Sequence, residues 1–490
     1  MGLRSTALGS LLGALALMPS PVAEAQTVGA PPLPIPRDPM TSAREFEGHA
    51  ARAIRIRHRL RTPRNPLMAP NERNNIHNDP YMTDVYRIGG PLGDSAEDST
   101  LFSRECGSLM FDAHGRIVTI CVGLDHPVLA LLDPETLQTL AATNLPPRNS
   151  SDPFSDFTGG GYFYLDNRDR AVLPTATRHI LVVSIAAGPA FVVDRDYDLS
   201  SRLGPNDAIV SVLPDWQERL WFVTRSGMVG TIDRTTGVIR TRRLRGEGIS
   251  NSFSVDETGG VFIVSDQALY RFDASRAGKP RVSWRLRYPD SGKRKPGQVD
   301  AGSGTTPTLI GRRLVAITDN ADPMHVLVAR RARRLHGRKR VACKRRAFRR
   351  GKSATDNSLI ATTRAIVVEN NYGYDRPFAD DELTAPGLTR VDLRRRRGGR
   401  IRCSTRWRSA ERAPSVVPKL SLRNGLLYTY TKPRAESAWY LTAISFRTGR
   451  TVYRRLAGTG FAFNNNYAPV TLGPDGTAYV GVLGGLVAFR

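Results

Sequence analysis

From about residue 107 to residue 490, apolar and polar positions alternate in short runs that are broken by Asp, Asn and Gly. Alternation with a period of two predicts half-buried strands, and Asp or Asn followed by Gly between two such runs predicts a tight hairpin, because glycine tolerates positive φ. The runs recur. Phe253–Val264 has the same order of strand, Asp-containing turn and strand as Val470–Val480 and Leu109–Thr119. A complementary half, with a strand, a Thr-Gly turn and a further strand, spans Gly227–Arg240 and returns in Tyr440–Tyr453 and more loosely in Leu388–Leu393 before Gly399. Joined, the halves form a four-stranded unit of 40 to 60 residues, the signature of a repeat fold.

Counting first-strand starts gives units near Gly107, Gly161, Asp207, Ser252, Thr306, Asn357, Ser415 and Tyr467. The fold class is therefore all-β, a single β-propeller of eight four-stranded blades, or seven if one of the less regular units, the second and fifth, has been split. The last unit has three strands, about Tyr467–Leu472, Thr477–Val482 and Leu486–Phe489. Its fourth must come from elsewhere, and Val85–Ile88 is the expected closing strand. A closed ring hides sheet edges that would otherwise invite aggregation.

The repeat grammar over residues 81–490 resembles that of quinoprotein-like (PQQ-like) β-propellers. The quinone site of that group implies adjacent cysteines and a tryptophan platform. This chain has no adjacent cysteines, and its five tryptophans fall mostly within or beside strands, so PQQ is not an expected cofactor. A second resemblance concerns the blade openings. Gly204–Val210 and Ser250–Asp256 are similar to those of gluconolactonase-like and paraoxonase-like calcium-dependent hydrolases, which have six blades. That resemblance implies that Glu105, Asn206 and Asn251 hold a cation in the channel.

Ahead of the propeller, Arg4, an apolar stretch from Ala7 to Met18 and the small-x-small sequence Ala23-Glu24-Ala25 read as a signal peptide, residues 1–25, cut after Ala25. The apolar stretch is shorter than the ~20 residues that cross a bilayer. A secreted or extracytoplasmic, monomeric protein with no integral membrane segment is expected. Residues 26–80 begin Pro-rich (Pro31, Pro32, Pro34, Pro36) and continue basic, which predicts an extended arm or linker with a short helix near Ser42–Arg57.

Four cysteines in an exported chain suit two disulfides. A hairpin turn at Asp112–Gly115 sets Cys106 opposite Cys121 on adjacent strands, which leaves Cys343 for Cys403. No CxxC occurs, so zinc and redox motifs are not expected. The net charge of +26 is concentrated: Arg330–Lys352 holds thirteen Lys and Arg with no acid, and Arg394–Arg408 holds eight more. In an exported protein this favours an anionic envelope polymer over any specific nucleic acid, with a merely solvated basic rim as the plain alternative.

In a propeller, residues that open the first strand and residues that end the second converge on one mouth of the central channel. That places Glu105, Asn206, Asn251, Asn357 and Asn466 there from strand starts. Asp319, Asn320, Glu369, Asn370, Asn371 and Tyr372 join them from strand ends. Carboxylates with amide oxygens suit a hard cation such as Ca²⁺. Glu105, Asn206, Asn251, Asp319 and Asn320 are the candidate metal ligands; Asn357, Glu369, Asn370, Asn371, Tyr372 and Asn466 are the candidate ligand-binding residues. His126 or His325 is a candidate base for water activated by such a metal. Turn chemistry alone also places Asn, Asp and Gly at strand ends. No HExxH, GxSxG or Walker loop occurs. The expected role is an exported binding module for a polar or anionic ligand, with a calcium-dependent lactone or ester hydrolase as the alternative and quinone-dependent oxidation behind both.

Overall fold

A computed structural model describes residues 28–39, 42–94, 96–148, 154–156, 158–377, 384–434 and 437–490. The expected signal peptide, residues 1–25, lies outside them. Eight sheets, antiparallel but for one added strand, follow one another around the ring, and strand order within each identifies an eight-bladed β-propeller. The innermost strands are Glu105–Phe111, Tyr164–Leu165, Ile209–Pro214, Ser254–Val255, Thr308–Ile310, Ile360–Ala361, Lys419–Ser421 and Val470–Leu472. Each begins within a few residues of its sequence-predicted start.

The hairpins explain the repeats. Asp112 Oδ1 accepts the backbone N–H groups of His114 and Arg116, both at 2.9 Å. Asp166, Asp215 and Asp256 hold the same two backbone positions in the second, third and fourth blades. The side chain thus satisfies two N–H groups that a tight turn would leave open. In the first three blades the arginine four residues on returns to the aspartate as an ion pair: Arg116, Arg170 and Arg219. Asp215 additionally accepts the indole N–H of fully buried Trp221 at 2.8 Å. The third residue after each aspartate has positive φ.

Inner and middle strands are buried along their length, as in Ile209–Pro214 and Val128–Leu132, whereas outer strands such as Ile401–Arg408 are half exposed. Apolar clusters therefore lie between neighbouring blades; one joins side chains of the second, third and fourth. Cys106 pairs with Cys121 within the first blade, directly opposite in register, and Cys343 with Cys403 between the outer strands of the fifth and sixth.

Ring closure uses a different strand from the one expected. Glu97–Leu101 pairs antiparallel with Gly485–Phe489 and completes the eighth blade. Val85–Tyr86 instead runs parallel to Leu420–Ser421 on the inner side of the seventh. The expected helix near Ser42–Arg57 is absent among the described residues: Phe46–Gly48 is a strand on the outer edge of the seventh blade.

The arm is bound to the ring over most of its described length. Leu33 and Ile35, which keep N–H groups between prolines, lie along the closing strand: Leu33 O accepts from Leu101 N–H and Ile35 N–H donates to Ser99. The chain then crosses the outer edge of the seventh blade and enters the channel. There successive residues meet successive blades. Pro80 O accepts from Val255 of the fourth blade, Tyr81 O from Leu309 of the fifth, Thr83 O from Ala361 of the sixth and Asp84 O from Leu420 of the seventh. On the far side Leu165 donates to Asn74 O and Ala69 donates to Leu165 O. Residues 65–86 thus plug the channel at the end where the first strands finish.

Candidate functional site

At the other end the first strands begin, and the second strands return to them. Four consecutive blades meet there through side chains. Asn357, opening the sixth blade, donates from Nδ2 to Ser415 O at 3.0 Å and Val416 O at 2.6 Å, ahead of the seventh. Ser415 Oγ donates to Asn465 O at 2.5 Å, ahead of the eighth. Asn466 N–H donates to Glu105 Oε1 at 2.7 Å in the first. Asn371, at the end of a second strand, donates to Glu369 Oε1 and receives the Thr355 hydroxyl and the Asp356 N–H. Tyr374 donates to Asn466 Oδ1 at 3.0 Å and meets Tyr467 edge-on. Asn357, Glu369, Asn371, Asn466 and Glu105 therefore share one polar arc.

The electrostatics of this arc are unusual. Burial holds the Glu105 and Glu369 carboxyls far above the ordinary carboxylate range, with only one or two hydrogen bonds acting against it. Burial likewise pushes Asp356 up to about 8, against the Val299 N–H that donates to it. Glu369 Oε2 and Asn357 Oδ1 are buried without a hydrogen-bond partner although the two residues adjoin. Acceptors left open in this way are satisfied by a proton on Glu369, by a cation, or by a ligand donor.

The floor of this funnel is the tip of the plug. His77 Nδ1 lies 3.0 Å from Asp84 Oδ1, and its Nε2 lies 3.3 Å from Ser358 Oγ. Lys419 contacts Asp84 and donates to Ile76 O at 2.6 Å. Burial raises the Asp84 carboxyl, but His77 and Lys419 more than offset this and hold it below the ordinary range. Burial lowers the Lys419 ammonium, and Asp84 partly restores it. Tyr162 lies beside His77 and reaches Asn251 Oδ1 at 3.4 Å.

Other sequence-predicted residues stand apart. Asn206 is exposed, and its neighbour Asp207 turns inward to accept from Thr224 and Ser226. Asp319 accepts the backbone N–H of His325 and faces its ring at 3.0 Å, while Asn320 donates to Asp290 and to Lys293 O. His126 faces Asp125 at 3.1 Å. Asn370 ties Ala354 to Lys352 O, and Tyr372 is half-buried above it. Among the described residues no three His, Cys, Asp or Glu side chains are grouped to hold a metal. A cation in the funnel would thus be held mainly by amide and backbone oxygens, with Glu369 or Glu105.

His77, Asp84, Ser358, Lys419 and Tyr162 were not anticipated. The available signal is the density of Asn, His and Asp from Asn74 to Asp84, excessive for a solvated linker.

No family model matches the chain. A protein of unassigned function from Archaeoglobus fulgidus is 27% identical over 311 residues, 57% of this chain and 60% of that protein. The chain thus matches less than two thirds of that relative's length. Among solved structures, streptogramin B lyase superposes with a TM-score of 0.39 at 8% identity, covering 81% of this chain and 97% of the lyase. A chain of the mitotic checkpoint complex gives 0.37 at 11% identity, covering 66% and 86%. The blade count comes from strand pairing and needs neither likeness. Among the described residues no helix is long and apolar enough to cross a membrane.

Proposed function

We propose that the protein is an exported binding module whose funnel takes a polar ligand rich in hydrogen-bond donors, or a Ca²⁺ ion in the same place. The observation that carries this reading is the pair of unpaired buried acceptors, Glu369 Oε2 and Asn357 Oδ1. Such groups cost about 1–3 kcal/mol each when nothing answers them. The same module would meet an anionic envelope polymer through the basic segments Arg330–Lys352 and Arg394–Arg408, which include the outer strands of the fifth and sixth blades with three Lys or Arg each.

Elemental analysis of the purified protein, followed by calorimetric titration with Ca²⁺ and with amino sugars, tests the funnel. One equivalent bound, weakened about tenfold or more in Glu369→Ala and unchanged in His126→Ala, supports the reading. Unaltered binding in both Glu369→Ala and Asn357→Ala would remove it.

An ester or lactone hydrolase is the second reading, and the Ser358–His77–Asp84 alignment favours it. Ser358 Oγ would attack the carbonyl carbon as its proton passes to His77 Nε2, the alkoxide would leave with that proton, and water would then release the acid. Turnover of a 4-nitrophenyl ester that survives chelation and is lost in Ser358→Ala separates this route from a calcium-dependent one.

A further inference from the structure

The face opposite the funnel carries a cavity of about 1090 Å³ where the arm passes the fifth and sixth blades. Ten of its lining residues are arginines, and Asp392 is its one lining carboxylate. Arg57, Arg59 and Arg61 come from the arm, Arg312 and Arg313 from the first hairpin of the fifth blade, and Arg364 from that of the sixth. Arg394 and Arg395, which end the strand Leu388–Arg395, and Arg396 just after it close the far side, with Arg390 of the same strand beneath.

Two of the ten are accounted for by the protein. Arg390 is held by Asp392 at 2.7 Å and Phe446 O at 2.8 Å, and Arg312 lies 3.8 Å from Glu257. The other eight guanidinium groups have no hydrogen bond or ion pair among the described residues. His58, in the same wall, is pushed below its ordinary range, first by burial and then by Arg390 and Arg364. Like charges brought together without partners oppose folding, and a concave wall of one sign concentrates the counter-ion that relieves this. The guanidinium fork matches phosphate oxygens two at a time, which an ammonium does not.

We propose that this cavity binds an oligophosphate: closely spaced phosphate groups, either free or along an envelope polymer. The inference deepens the anionic-partner part of the proposed function, rests on that part, and is independent of the funnel. It moves recognition from the outer rim to a cleft in which the arm supplies one wall.

The test is calorimetric titration of the full chain with inorganic tripolyphosphate and with poly(glycerol phosphate), at about 50 mM and about 300 mM NaCl. Two cleft variants from different elements, Arg57→Ser/Arg59→Ser/Arg61→Ser and Arg394→Ser/Arg395→Ser/Arg396→Ser, are compared with a rim variant of equal charge change, Lys344→Ser/Arg402→Ser/Arg406→Ser. Saturable binding of one tripolyphosphate, weakened about tenfold or more in both cleft variants and less than about twofold on the rim, is expected. Binding of tripolyphosphate alone identifies a free ligand, and binding of both a phosphate-bearing polymer. Equal losses in rim and cleft variants, or a loss confined to the rim, overturn the cleft assignment while leaving a polymer-binding surface. No saturable binding of either probe overturns both.

Discussion

Cys343 and Cys403, 60 residues apart in sequence, bond the outermost strand of the fifth blade to that of the sixth. These strands, Val341–Arg346 and Ile401–Arg408, carry exposed basic residues including Lys344, Arg346, Arg402 and Arg406, so the bond joins edges whose charges repel. In the chain-entropy account a loop of this length is worth roughly 4 kcal/mol. Cys343→Ser/Cys403→Ser should lower the melting temperature by several degrees, and more at low salt than at high, because screening weakens the repulsion. Calorimetry at two ionic strengths measures this; a gap that does not narrow with salt would show that charge plays no part.

The plug is fixed to the ring by charge as well as by backbone. Lys419 on the seventh blade is fully buried against Asp84, which also accepts from His77. Removing one member of a buried pair leaves the other uncompensated, at a cost of about 3–5 kcal/mol. Lys419→Met should therefore destabilise strongly, and Lys419→Met/Asp84→Asn should recover part of the loss. Urea unfolding of wild type and the two variants checks it, and a double variant no better than the single would refute the pairing.

Stability should fall from acidic to neutral pH through Asp79. Burial pushes this carboxyl up to about 7, while Thr83 and the Tyr81 N–H act against the shift. In the unfolded chain the group titrates near about 3.9. Between those values the folded state binds the extra proton, so its stabilising contribution is full below the unfolded pKa and is lost as pH rises through the folded one. The melting temperature should drop between pH 4 and pH 7, and Asp79→Asn should flatten that part of the profile. An unchanged slope in the variant would place the titration elsewhere.

How far the sequence discloses the fold depends on which side chains close each turn. Gly115 and Gly259 supply the positive φ that the Asp-led hairpin needs and make the first and fourth blades legible. In the second and third blades Asp169 and Glu218 take that conformation, at φ of 57° and 67°, so the glycine signal vanishes while the geometry persists. The Cys106–Cys121 register emerges through a compensation. Beside the turn Phe111 pairs with Ile117, one step from the expected alignment, and a bulge at Gly107 restores it at the cysteines. The closing strand is not legible in the pattern because Glu97, Asp98 and Ser99 lie on a sheet edge, where polarity is tolerated, whereas Val85 and Tyr86 are buried on the inner side of the seventh blade. Blade geometry alone gathered Glu105, Asn357, Glu369 and Asn466. The floor beneath them depends on arm residues whose partners lie hundreds of positions away, and no local pattern encodes those contacts.

The arm's path makes the cleft testable at a distance. Ile54 N–H donates to Asn424 O and Ile56 N–H to Leu422 O, both at 2.8 Å, so the segment bearing Arg57, Arg59 and Arg61 is held by the first hairpin of the seventh blade. Gly425 lies at that contact with φ +73°, and a Cβ there would come within 2.2 Å of Ile54 O. Backbone cannot yield as a flexible side chain can, so Gly425→Ala should push the arm off the hairpin, at a local cost above about 1 kcal/mol. Trypsin should then cut faster within Arg52–Arg61, and tripolyphosphate affinity should fall toward that of the arm variant, although every cleft arginine is still present. Mass spectrometry of the digest and the titration check both effects. Faster cleavage with unchanged affinity would mean that the arm does not form a wall of the anion site.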